Sequence, residues 1–181
     1  MSETPDIAGR KAILNLYGAL AASLVLSVLP FVAAAVLSTV FFIGVLIAAY
    51  AIRKKAQDHS FCENHATYII RTLWIAALLS LVTIGIAGAY MMGGIDYAPF
   101  ESCANMLASK GIAWIESAST MAIYAVVAPC IDGFMNGNRV LLLNAVLIAG
   151  GPLMAYLAYR LIKGVARAGK GYRLLDAKTW L

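Results

Sequence analysis

The sequence predicts an all-α fold, a polytopic membrane helix bundle, on three observations. The first is composition: of 181 residues, 62% are hydrophobic and 13% charged, with a mean hydropathy of +0.81. A soluble domain is nearer half apolar and a quarter charged, so an aqueous fold could not hide this much apolar surface. The second is the length of the uncharged runs, the longest covering residues 12–52. The third is the position of the cations, which flank those runs in clusters. A net charge of +5 therefore reads as a membrane-side determinant and not as a nucleic-acid footprint. The expected partners are membrane lipids and other membrane subunits or further copies of the chain, with no nucleic acid.

The spans follow in order. As one helix, residues 12–52 would run about 60 Å, twice the hydrocarbon thickness of roughly 30 Å. Two spans, residues 12–29 and 31–52, solve this with a tight turn near Ser27 to Pro30. Pro30 has no amide hydrogen for the helical ladder and disfavours helix at Leu29; the alternative is a single Pro-kinked helix. A third span is expected over residues 67–92 and a fourth over 140–162, where the Gly150-Gly151 pair permits close packing and Pro152 should kink the helix. Gly85 and Gly88 in the third span permit close helix packing. Residues 1–181 form a single membrane domain, with a basic cytoplasmic tail from 163. The opening MSETPDIAGRKA lacks the basic start and cleavage site of a secretory signal, so the N-terminus is expected to be retained.

Cation placement gives the orientation. Arg10 and Lys11 precede span one, Arg53, Lys54 and Lys55 follow span two, and Arg160, Lys163, Arg167, Lys170, Arg173 and Lys178 close the chain. The stretch between spans three and four is acidic, with Asp96, Glu101, Glu116 and Asp132 against Lys110 and Arg139. The positive-inside rule then places both termini in the cytoplasm and residues 93–138 in the periplasm. A fifth span over residues 111–131 would push the basic tail outside. It would also bury Glu116 at roughly 2.5–3.5 kcal/mol.

The stretch HATYIIRTLWI, with His65, Tyr68, Arg71, Thr72 and Trp74, resembles the signature of a family of small four-span bacterial inner-membrane proteins. In that family a His opens the third span and an Arg-Thr-aromatic-Trp run follows. GVLIAAYAIRKKA at 44–56 is similar to the family's second span, and YRLIKGVARAGKGYRLLDAKTWL at 159–181 to its C-terminal pattern. The family is grouped with four-span proteins akin to the membrane component of the chloroplast Tic translocon. The resemblance implies four spans in a bacterial inner membrane, and it implies no activity. It departs at residues 93–138, longer than the connector the family would have.

Two places could carry chemistry. At the cytoplasmic mouth His65, Tyr68 and Thr72 share one face of span three, Arg71 lies one residue off it, and Arg160 and Lys163 end span four on the same side. Together they would form a small anion pocket for a lipid phosphate or a partner carboxylate. Arg71 is the residue expected to hold the partner, because intramembrane ionisable groups usually face one. The plainer reading makes all six interfacial anchors, with Tyr68 and Trp74 in the aromatic belt. In the outer region Cys103 and Cys130 flank an amphipathic segment whose Ile112, Ile115, Ile123, Val126 and Val127 recur at near-helical spacing. A disulfide-tied helical cap is expected there; the alternatives are two unpaired thiols and a re-entrant helix.

His59, Cys62 and His65 spell H-x2-C-x2-H. A structural zinc site wants four ligands, so no metal and no cofactor is expected. Neither a catalytic motif nor a pair of intramembrane carboxylates is present. The function expected is a non-enzymatic accessory subunit or assembly factor of a larger membrane complex. The alternatives are a pore or translocon-like component and a thiol redox membrane protein.

Overall fold

The computed structural model describes residues 9–179. The readings above that concern residues 1–8 and the closing Trp180-Leu181 lie outside them. The described residues form seven α-helices and no strand. Three of the helices are long and apolar enough to cross a membrane: α2 (Val32–Lys55), α3 (Phe61–Gly94) and α7 (Arg139–Gly169). The chain divides into two compact units, Met1–Val82 with Gly151–Leu181, and Thr83–Gly150.

In the first unit, α1 (Arg10–Ser27) and α2 form a hairpin. The chain leaves the helix at Val28 and re-enters at Val32, with Pro30 between them where no amide hydrogen is available. Ser23 and Ser38 lock the hairpin reciprocally: each hydroxyl donates to the other's carbonyl, at 3.0 and 2.9 Å. Among apolar helices, where lipid competes equally for hydrophobic contact, such a polar clasp sets the register.

Ile13, Leu16, Tyr17 and Leu20 fall at i, i+3, i+4 and i+7, so α1 buries one stripe. The stripe packs with Val45 and Ala49 of α2, with Phe61, Tyr68, Ile69, Ile70 and Leu73 of α3, and with Ala168 and Leu174 at the chain's end. Elsewhere α2 is apolar yet uncovered: Val32 is 84% exposed and Val40 60%. In water such an apolar surface would be a liability, and in a bilayer it is the lipid-facing side.

After α7 the chain reverses through Gly171, whose φ of 75° is the left-handed conformation glycine accepts without strain. The Gly171 amide donates to Ala168 O and the Tyr172 amide to Arg167 O, the paired bonds that close a helix C-terminus. Residues 171–179 then form a strap along the start of α3. The Asn64 amide clamps it by donating to Leu174 O (3.1 Å) and accepting from Leu174 N (2.8 Å).

The second unit holds α4 (Ala98–Lys110), α5 (Ile112–Ser117) and α6 (Thr120–Gly137), with the ends of α3 and α7 that enter it. The amphipathic helix expected across residues 111–131 is not continuous. It breaks at Ala118, which is extended, and at Ser119, whose hydroxyl accepts from the Ala122 amide and caps α6. Serines in succession offer the backbone local bonds that compete with the helical ladder, and Ser117 also bonds Ala113 O. α4 packs on α6, and Cys103 and Cys130 stand at disulfide distance with Cα atoms 6.0 Å apart. Asn138 joins the ends of this unit: it accepts from Asp96 N (2.8 Å) and donates to Asp96 O (2.9 Å) and Phe134 O (3.0 Å).

Two outcomes test this architecture. A Cβ at Gly164 would lie 2.5 Å from the Tyr17 ring, whereas one at Gly151 meets nothing within 4 Å. In detergent melting, Gly164→Ala should cost about 1–3 kcal/mol and Gly151→Ala almost nothing. Non-reducing mass spectrometry with alkylation should leave Cys103 and Cys130 unlabelled. Replacing either by serine should cost about 3 kcal/mol for a loop of this length.

Candidate functional site

Four of the six polar residues expected at the mouth, His65, Tyr68, Thr72 and Arg160, come together in the first unit, arranged otherwise than as an open anion pocket. Arg160 is fully buried, at 0% exposure, among the most enclosed side chains of the described residues. Its guanidinium lies over the Tyr68 ring, with 3.6 Å from the guanidinium carbon to the ring centre. Its Nε donates to Thr72 Oγ1 (3.0 Å), one terminal nitrogen to Thr179 O (3.2 Å) and the other, more weakly, to Tyr68 O (3.5 Å). The Tyr68 hydroxyl in turn donates to Arg160 O (3.1 Å), and the Thr72 hydroxyl to Tyr68 O (2.7 Å). Tyr68 and Thr72 stand one helical turn apart, which is why one side chain from α7 meets both.

No carboxylate among the described residues pairs with this cation. Neutral acceptors and an aromatic face satisfy it, and they tolerate burial only because its planar fork finds them at fixed positions. The expectation of a pocket open to a lipid phosphate is therefore corrected at Arg160. Its donors face two of the chain's own carbonyls and the Thr72 hydroxyl.

His65 forms the second half of the arrangement and is likewise 0% exposed. Its Nε2 lies 3.1 Å from Tyr172 O and its Nδ1 2.9 Å from the Tyr17 hydroxyl. A carbonyl can only accept, so Nε2 carries hydrogen, and a neutral ring then accepts from Tyr17 at Nδ1. The Phe61 ring packs against the imidazole, with centroids 4.5 Å apart. His65 thus ties α1 to the strap through α3, as Arg160 ties α7 to α3 and to the strap's far end.

Arg71 and Lys163 take different places. Arg71 is half-buried and enters none of these hydrogen bonds. The role expected of Arg71 falls to Arg160, because Arg71 is one residue off the face that Tyr68 and Thr72 present. Lys163 is exposed and lies against Tyr159, 5.4 Å from its ring centre. Tyr68 is 1% exposed and is therefore no belt residue. Trp74 is exposed and donates to the Tyr50 hydroxyl (3.0 Å), an arrangement suited to a membrane interface.

Among the described residues no group of three or more His, Cys, Asp and Glu side chains is placed to hold a metal. His59, Cys62 and His65 do not converge, and both nitrogens of His65 are engaged.

Sequence reasoning missed Tyr17, Asn64, Tyr172 and Thr179. Tyr17 and Tyr172 read as ordinary core and interface aromatics, and Thr179 contributes only a carbonyl, which every residue has. The one available signal was Asn64 beside His65, two hydrogen-bonding side chains where the apolar run begins.

Removing the guanidinium should leave buried acceptors unpaired. Arg160→Leu is expected to lower stability by about 3 kcal/mol, and Arg160→Lys should recover little because a point charge cannot reach three acceptors. Arg71→Ala should cost under about 1 kcal/mol. Detergent melting curves of the three variants check the order; an Arg71 effect equal to that of Arg160 would contradict it. Comparison of the chain with protein-family models, curated proteins and solved structures finds no match.

Proposed function

We propose that the chain is a four-span protein of a bacterial inner membrane. In this reading it is a non-enzymatic accessory subunit or assembly factor of a larger membrane complex, with residues 93–138 as a helical periplasmic insertion. A place among the small four-span proteins it resembles belongs to the same proposal. The fourth span would be α1, whose 18 residues reach about 27 Å, close to the hydrocarbon thickness.

Orientation draws support from the first unit. The Arg10 guanidinium bonds Gly169 O, and Arg173 bonds His59 O at 2.7 Å. The start of α1, the approach to α3 and the end of α7 therefore gather at one end, where Lys11, Lys54 and Lys55 also belong by sequence. A cation-rich end is the cytoplasmic one under the positive-inside rule, which puts both termini there.

The observation that carries the subunit reading is the fate of the buried polar groups. His65 and Arg160 have the chemistry a catalyst would use, and both are committed to hydrogen bonds that hold the chain's own strap. Such a site serves architecture. It gives the basic end a fixed shape for recognition, while the apolar sides of α2 and α7 stay available to lipid or to other helices.

Extraction from the native membrane in mild detergent, followed by affinity purification and mass spectrometry, tests the reading. A stoichiometric membrane partner is expected, and His65→Ala, which unpins the strap at Tyr172, should reduce its recovery about ten-fold. A chain that purifies only as a homo-oligomer would overturn the subunit reading and favour the pore.

A further inference from the structure

The strap and the end of α7 enclose a concavity of about 410 Å³ lined by Lys163, Ala166, Arg167, Lys170 and Tyr172. The volume lies within the roughly 300–1,000 Å³ of small-molecule sites. Three of its five lining residues are cations and none is a carboxylate. Lys163 and Arg167 stand at i and i+4 of one face of α7 and Lys170 follows in the turn just past its end, so their charges line one space. The nearby acids Asp58, Glu63 and Asp176 line a different concavity, and among the described residues neither Arg167 nor Lys170 makes an ion pair.

Its wall is fixed in place. The Tyr172 amide donates to Arg167 O and the Tyr172 carbonyl accepts from His65, so the residue facing the cations is pinned on both sides. A small Ala166 leaves the floor open. Binding there orders little that is not already ordered, which is the condition for useful affinity from few groups.

Depth in the bilayer selects the ligand. The 31 residues of α7 span about 46 Å, well beyond a hydrocarbon core of roughly 30 Å. Arg160 is sealed inside the fold, the apolar run ends at Ile162, and the solvent-accessible cations of the helix end begin at Lys163. The concavity therefore lies where the helix leaves the acyl chains, at the level of phospholipid headgroups. Arg recognises a phosphate with two parallel hydrogen bonds, and the lysines add charge without demanding geometry.

We propose that this concavity binds the phosphate of an anionic phospholipid headgroup, with Arg167 as the bidentate donor and Lys163, Lys170 and the Tyr172 hydroxyl around it. The proposal rests on α7 crossing the bilayer and is independent of the subunit reading, so the absence of a stoichiometric partner leaves it standing.

Native mass spectrometry of the full chain, released from nanodiscs of phosphatidylglycerol and phosphatidylcholine, reads the preference directly. The wild type should retain phosphatidylglycerol over phosphatidylcholine. Arg167→Gln should weaken that preference about five-fold and Arg167→Gln with Lys170→Gln about twenty-fold, since each cation near such a surface contributes about a factor of five. Lys54→Gln, a cation at the end of α2 outside the concavity, should leave the preference unchanged. These variants alter partly or fully exposed side chains, and matching melting curves would show that they fold.

Equal losses in Lys54→Gln and Arg167→Gln would overturn the site in favour of diffuse surface charge. Binding of inorganic phosphate at millimolar concentration without any lipid preference would assign it to a free anion and overturn the lipid ligand. Loss of a co-purifying acidic protein from the double variant, with lipid retention intact, would overturn it in favour of a protein partner.

Discussion

A guanidinium sealed from solvent needs acceptors for its hydrogens and a polarisable surface for its face, and the chain around it must supply both. Arg160 meets that demand without any carboxylate among the described residues. Each requirement falls on a different part of the first unit: the Tyr68 ring and carbonyl and the Thr72 hydroxyl on α3, and the Thr179 carbonyl at the end of the strap. Once Arg160 is inside, α7 has one workable height and rotation against α3, and the strap has one workable end point. His65 repeats the logic at the other side of the same α3 face, with Tyr17 and Tyr172 as its partners.

The rest of the first unit is arranged around these two residues. Its buried core gathers at the basic end, where Ile13, Tyr17, Phe61, Tyr68, Ile69 and Ala168 close over the polar pair. Tyr17 reaches His65 past α7 only because Gly164 has no side chain at the crossing. Away from that end the helices have few neighbours and present valine, isoleucine and leucine outward. A chain with this distribution relies on lipid for the solvation a soluble protein obtains from its own core. Polar bonds then become the devices that fix geometry, as in the Ser23–Ser38 clasp, while apolar contact supplies little discrimination between alternative packings.

The second unit solves its own problem with different means. Its helices are short, and four connections must be held where the backbone leaves helical bonding. Asn138 is 3% exposed and satisfies the backbone at Asp96 while capping its own turn at Phe134. The cysteine pair joins α4 to α6, and Phe100 and Phe134 add a tilted ring contact between the same two helices, 4.6 Å between ring centres. An amide with two donors and one acceptor does here what a larger hydrophobic core would do in a bigger domain.

Local chemistry made part of this legible in advance. Helical content followed from long apolar runs, and the break around Pro30 from a residue that cannot donate. Cys103 and Cys130 were expected to pair, and His65, Tyr68 and Thr72 shared a face by the helical period alone. The sequence by itself thus determined that the chain is helical, that it carries helices long and apolar enough to cross a membrane, and which α3 residues face one direction. Three features required the tertiary structure. The helix break at Ser119 depends on its hydroxyl accepting from the Ala122 amide three residues on, one local bond among several open to it. The exchange of Arg71 for Arg160 depends on which of two cations the crossing of α3 and α7 encloses. The strap's role depends on carbonyls at Tyr172, Leu174 and Thr179, groups present at every residue and invisible to any pattern of side chains. Periodicity describes one helix at a time; the cap at Ser119 is a local choice it does not register, and the other two are made by elements meeting.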